Sequence, residues 1–204
     1  MSLPNGNTPI LPGKLAAIGT IMEMRAEDRQ PLDPVEAMPE WRFERVLDME
    51  LSRYLALYRA VGRDHLWYGR LVVSEAEITA LVASPEIAIF VLTIDGEDAG
   101  LAELDLSRPG SCEIVYFGVQ SAHIGSGAAR FMMERVIAFA FEQNIERLWL
   151  HTNTNDHPRA MRFYRRKGFR PVSQFLELTD DPRLIGLYEE SAAPRIPIFR
   201  SSDR

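Results

Sequence analysis

Residues 120–130, QSAHIGSGAAR, carry Gly125 and Gly127 two positions apart, followed by the small residues Ala128 and Ala129. Such a run lets backbone come close to a ligand. Where it opens a helix, the first-turn N–H groups lack intrahelical partners and the dipole adds about half a positive charge, so a diphosphate is the natural guest. The simpler reading is that the glycines relieve a tight turn and the alanines let helix lie close on sheet. Single residues exclude three known patterns. A P-loop needs Lys then Ser or Thr where Ala128 and Ala129 stand. A dinucleotide fingerprint needs Gly or Ala at Arg130 and an acidic residue about 20 positions on, where Trp149, Leu150 and His151 stand. A nucleophile elbow needs glycine at Ile124, so Ser126 is not read as an acyl-transfer serine.

Glu103 in GLAELDL and Glu113 in CEIVYFGV interrupt apolar stretches, where an unpaired carboxylate is costly. Either could accept a proton, directly or through water. Alternation puts Glu103 on the face of Leu101, whereas Glu113, opening its strand, reads equally as a solvated edge residue. Asp156 and His151 are candidate substrate contacts, or else a turn-capping carboxylate and a satisfied imidazole. Tyr164 alone would be a helix tyrosine beside Phe163. His123, His151, His157 and Asp156 lack the spacing of metal ligands, so no metal is expected. Arg159, Arg162, Arg165, Arg166, Lys167 and Arg170 form a basic cluster, read as a solvated face or as contacts for a phosphate or an acidic partner.

The elements that must position these groups follow from periodicity. Residues 15–24 and 41–48 read as strands joined across a proline-spaced surface connection over 30–39. Residues 51–62 place Leu51, Tyr54, Leu55, Tyr58 and Val61 on one helical stripe, with Gly62 as its stop. Ser74 and Glu77 form a capping box for a short helix that turns Ile78, Leu81 and Val82 inward. IAIFVLTI, the Asp95-Gly96 turn and DAGLAELDL form a hairpin, and CEIVYFGV completes a meander. Phe131, Met132, Val136, Phe139 and Ala140 follow the 3.6 period of a helix over 126–143. A strand, a helix and a last strand end near Asp180. The expected class is therefore α/β or α+β, one sheet flanked by helices, with a right-handed strand–helix–strand crossover around the long helix.

The glycine loop and the later FYRRKGF segment together resemble the GNAT acetyltransferase superfamily, whose Q/RxxGxG/A loop binds the pyrophosphate of acetyl-CoA. The resemblance covers about residues 40–180. It implies a mixed, mostly antiparallel sheet with an acetyl-CoA crossover, and coenzyme contacts at Phe117, Val119, Ile124, Gly125, Ser126, Gly127, Ala128, Ala129, Asn155 and Tyr164. Ile124 is read as standing where Arg or Gln is usual, and His157 where Asn is common. Gly118 marks a bulge in the pantetheine-binding strand or a close approach by a bulky neighbour. Tyr164 matches the family tyrosine that assists the leaving thiolate. Glu103 is the first choice as base, with Glu113 as the other candidate. The implied activity is direct transfer of acetyl to the amine of a small molecule or peptide, without a metal. The alternative is a non-catalytic CoA-binding or protein-interaction module on the same fold. The acceptor pocket is expected around Tyr54, Tyr58, His65, Trp67, Tyr68 and Arg70.

Composition agrees with this class. The chain has 204 residues, 46% hydrophobic and 25% charged, enough for one core without a metal or disulfide staple. Its net charge of -6 disfavours broad nucleic-acid binding. The single cysteine, Cys112, and the lack of a secretory leader point to the cytoplasm. No apolar run approaches the roughly 18 residues of a membrane span. Residues 1–13 read as a flexible leader, 14–180 as one domain, and 181–204 as a tail that is loosely packed or docks on a partner. A homodimer is left open.

Overall fold

A computed structural model describes residues 5–29, 38 and 40–200. The connection expected over 30–39, apart from Met38, lies outside the described residues, as do 1–4 of the leader and 201–204 of the tail. The elements are β1 (Lys14–Arg25), β2 (Trp41–Val46), α1 (Leu51–Gly62), α2 (Glu75–Val82), β3 (Ile87–Ile94), β4 (Glu97–Asp105), β5 (Ser111–Val119), α3 (Ala128–Glu142), β6 (Arg147–Asn153), α4 (Ala160–Arg166) and β7 (Arg170–Asp180). They build a seven-stranded sheet in the order β2-β3-β4-β5-β6-β1-β7. Every neighbouring pair is antiparallel except β5 and β6, which α3 connects. The mixed, mostly antiparallel sheet flanked by helices is thus the one expected.

Local chemistry explains the joints. Asp95 and Gly96 both have positive φ, 53° and 84°, as the tightest hairpin turn requires, and they close β3 onto β4. Ser74 accepts from the Glu77 N–H while the Glu77 carboxylate accepts from Ser74, so the capping box holds α2. Gly62 does not stop α1. Its φ is -82° and the chain runs on through a 3-10 turn over 63–65 to Leu66, whose φ of 57° ends the helical path. Glycine is required there by crowding, since a Cβ would lie 2.6 Å from that of Trp67.

Two cores sandwich the sheet. Phe131, Met132, Met133, Val136, Ile137 and Ala140 of α3 bury against one face together with Met22 and Met24 of β1. Tyr54, Leu57, Tyr58 and Val61 of α1, with Ile78 and Val82 of α2, bury against Ile89, Val91 and Leu101 on the other. Leu51 and Leu55 of the expected stripe are only half-buried. α3 starts two residues later than its periodicity suggested and is about 22 Å long. Among the described residues no helix is long and apolar enough to cross a membrane.

Residues 181–200 are not loosely packed. The Arg183 guanidinium donates to both oxygens of Asp181, at 2.9 and 2.7 Å, and to the carbonyls of Ala192 and Ile196 at 3.2 and 2.8 Å. That buried hub coils the segment so that Tyr188, Ala192, Ala193 and Ile196 cover Leu15 and Leu66. Removing one partner of such a pair strands a charge in the interior. Arg183→Ala is therefore expected to lower unfolding free energy by about 3–5 kcal/mol, read from the urea midpoint, whereas a loosely held tail would leave it unchanged.

Candidate active site

β5 and β6 pair only from Ser111 with Arg147 to Ile114 with Leu150, and then part. The β4–β5 register shifts between Glu103–Tyr116 and Leu104–Ile114, so Val115 is an extra residue on β5. A bulge of this kind bends and twists its strand, and it sits where β5 leaves β6. Gly118 is not the bulge. It pairs regularly with Leu101, and a Cβ there would lie 2.7 Å from Val61 Cγ1, so the close-approach reading is the correct one. The outer half of β5, with Phe117 and Val119, keeps β4 on one side and a cavity of about 550 Å³ on the other.

At one end of that cavity lies the glycine loop. Gly127, with φ 99°, caps α3, and Gly125 has φ 88°. A Cβ on Gly125 would meet nothing within 4 Å, so left-handed backbone rather than crowding demands glycine there. Ser126 precedes the helix instead of opening it. Its hydroxyl donates to the His123 carbonyl at 2.8 Å and accepts from the Ala128 N–H at 3.2 Å. The N–H groups of Gly125, Gly127, Ala129 and Arg130 find no acceptor among the described residues. The Arg or Gln opening the resembled pattern stands three positions before its first glycine. That position is Ala122 rather than Ile124, and neither side chain can donate a hydrogen bond.

Tyr164 lines the cavity from α4, and its hydroxyl has no hydrogen-bond partner among the described residues. Burial, reinforced by the Asp156 charge, pushes its ionisation far above the usual phenol value, so it remains a donor. Asn155 lines the cavity beside it. Asp156 accepts from the Thr152 hydroxyl at 2.7 Å and the Asn153 N–H at 3.0 Å, and His157 Nδ1 accepts from the Arg159 N–H at 3.2 Å. These two residues shape the turn into α4.

The cavity is also framed by His65, Trp67, Tyr68, Tyr116, His151 and Glu177. Tyr54 and Tyr58, expected there too, belong to the core behind it. Arg195 of the terminal segment bonds the carbonyls of Asp64 and Asn155 and the His65 ring, tying the two sides of the mouth together. Leu15, Ala17, Glu177 and Thr179 also line the cavity, and sequence reasoning missed them. They come from β1 and β7, whose adjacency no local pattern announces.

The two candidate carboxylates have different surroundings. Glu103 is fully buried and does not line the cavity. Its oxygens accept from Arg70 and from the Tyr54 hydroxyl, and Arg70 Nε reaches the same hydroxyl at 3.2 Å. Arg70 also lies over the Tyr116 ring, 5.1 Å from its centroid. Glu113, partly exposed, sits 3.8 Å from His151 Nδ1, and His151 faces the cavity while Glu113 does not. The basic cluster divides likewise. Arg159 lines the cavity with Arg130, Lys167 pairs with Glu134 at 2.6 Å, and Arg170 pairs with Asp28 at 2.7 Å.

A parallel pair that splays beside a glycine-capped helix N-terminus is the architecture of the GNAT-type acetyltransferase fold. The sequence model of the acetyltransferase (GNAT) family matches residues 43–169, and the chain belongs to that family. It is 31% identical over 117 residues to uncharacterized N-acetyltransferases of Mycobacterium tuberculosis and Mycobacterium bovis, covering 57% of this chain and 74% of theirs. Among solved structures it resembles GCN5-related N-acetyltransferases from Sphaerobacter thermophilus and Kribbella flavida. The first has a TM-score of 0.62 at 17% identity, with 81% of this chain and 52% of that one covered. The second has 0.55 at 18%, with 83% and 60% covered. This chain thus spans little more than half the length of those solved chains, and at such identities the likeness concerns the fold. Family membership implies acetyl-CoA as cosubstrate. Among the described residues no cluster of three or more His, Cys, Asp or Glu is placed to hold a metal ion.

The Glu103–Arg70–Tyr54 network fastens residues 66–70, which carry Trp67 and Tyr68, to β4. Glu103→Gln is expected to cost about 3 kcal/mol of stability in urea unfolding by leaving the Arg70 charge without its counterion. A variant as stable as the parent would contradict that anchoring role.

Proposed function

We propose that the protein transfers acetyl from acetyl-CoA directly to an amine of a small molecule or peptide, without a covalent enzyme intermediate. The observation carrying this reading is the set of N–H groups on Gly125, Gly127, Ala129 and Arg130, without acceptors among the described residues, at one end of the β5–β6 gap, with the Tyr164 hydroxyl, likewise without a partner among them, lining the same cavity. These residues fit the coenzyme: four donors for a diphosphate, two cations, Arg130 and Arg159, for further phosphate charge, and an open β5 edge for an extended arm. When bound, acetyl-CoA supplies an acyl group activated as a thioester.

The chain's part is to bind, align and manage protons. Phe117 and Val119 offer backbone along the gap as an added strand would find it. Held protonated by burial, the Tyr164 hydroxyl donates a hydrogen bond to the departing sulfur, which concentrates negative charge as the bond breaks. Trp67, Tyr68 and Tyr116 form an aromatic wall for the acceptor.

Calorimetry with acetyl-CoA tests the first half. The wild type is expected to bind and Gly127→Glu to lose binding, because a carboxylate and a strained backbone would both occupy the diphosphate position. A wild type that ignores millimolar coenzyme overturns the reading. Thiol release with a panel of amines tests the second half. Tyr164→Phe should lower kcat about 10²-fold at unchanged coenzyme affinity. Coenzyme binding without transfer to any amine would favour the non-catalytic module instead.

A further inference from the structure

Ile114 and Leu150 point into the α3 core, so their sequence neighbours Glu113 and His151 project from the opposite face of the sheet. His151 is the first residue of β6 beyond its last pairing with β5, and it therefore stands at the apex of the gap, on the cavity wall. The charged groups facing its ring are Glu113 from β5, Glu177 from β7 and Asp156 from the turn into α4, and Phe175 of β7 lies 6.1 Å away. Asp156 is committed to its turn, and Glu177 accepts from the Asn153 side chain at 3.0 Å. Glu113 has no hydrogen-bonding commitment to another side chain among the described residues, and its carboxylate lies 3.8 Å from His151 Nδ1.

We propose that His151, oriented by Glu113, takes the proton from the attacking amine; this rests on the acetyl-transfer reading above. A carboxylate on Nδ1 selects the tautomer that leaves Nε2 as the acceptor. The amine nitrogen forms its bond to the acyl carbon, one N–H proton passes to Nε2, and the carbon–sulfur bond breaks with its electron pair leaving on sulfur. The thiolate, hydrogen-bonded by Tyr164, is then protonated from solvent, and the imidazolium returns its proton to solvent. Neither glutamate replaces His151 here, because Glu103 is closed off by Arg70 and Tyr54 and Glu113 does not reach the cavity. The Glu113 carboxylate, 3.8 Å from Nδ1, holds the imidazole above its ordinary value against the opposing effect of burial, which suits a base working near neutral pH.

Two measurements test this. In the full chain without coenzyme, an NMR titration of the imidazole assigned by loss in His151→Gln should show its pKa fall in Glu113→Gln; an unmoved value overturns the role given to Glu113. Transfer from acetyl-CoA to 2-phenylethylamine and spermidine, as probe amines, supplies the second readout. Since the neutral ring is the active form, kcat/KM should rise with pH through the His151 ionisation, and Glu113→Gln should move that limb to lower pH. His151→Gln should lose about 10²-fold or more in kcat at unchanged acetyl-CoA affinity, and added imidazole should partly rescue His151→Ala. Wild-type transfer with an unaltered acid limb and rate in His151→Gln overturns this inference alone. Failure of the wild type to acetylate any amine overturns the acetyl-transfer reading, and this inference with it.

Discussion

The site depends on β5 and β6 ceasing to pair after Ile114 and Leu150. Two parallel strands that stayed in register would satisfy each other's backbone and leave no room between them. The extra residue Val115 sits where the pairing ends, so the cost of an interrupted ladder is met by a bent strand and a cavity. The candidate groups lie along that opening: the glycine cradle, Tyr164 and, at the apex, His151. A continuous ladder would remove the cavity without touching a single polar side chain.

Buried charge then fixes the walls. Glu103 and Arg70 form a pair in which the carboxylate is fully enclosed; the Tyr54 hydroxyl donates to that carboxylate, and the Tyr58 hydroxyl accepts from the Arg70 backbone N–H. Such a pair gives modest net stability, because desolvation offsets attraction, but it is expensive to break, which favours one arrangement of the loop it holds. Asp181 and Arg183 do the same for the terminal segment, from which Arg195 reaches both lips of the cavity. The wall formed by residues 65–68, Tyr116, His151 and Glu177, with Arg195 at its mouth, thereby draws on five stretches of chain remote in sequence.

That remoteness explains what the sequence could disclose. The meander, the capping box, the Asp95-Gly96 turn, the long helix and the glycine cradle each arise from residues within a few positions of one another, so their patterns were readable. So were Trp67 and Tyr68, through aromatic density alone. Gly62 misled, and Gly118 stayed ambiguous, because a glycine demanded by a neighbouring ring or methyl looks in sequence like one demanded by a turn or a bulge. Glu103 drew notice as a carboxylate among apolar residues. Only the structure supplies Arg70, 33 residues away, which makes it half of a buried pair. The relation of Glu113 to His151 needed the parallel register, and the contributions of Leu15 and Glu177 needed the strand order.

That order has a consequence for how the molecule is made. β1 is translated first yet lies between β6 and β7, with Gly19 opposite Asn153 on one side and Phe175 on the other. On the ribosome it must therefore wait, its apolar Met22 and Met24 uncovered, until nearly the whole chain has emerged. The meander β3–β4–β5 can close early, whereas the half of the sheet that completes the cavity cannot exist in a nascent fragment. Synthesis thus delays completion of the cavity until β6 and β7 have joined β1.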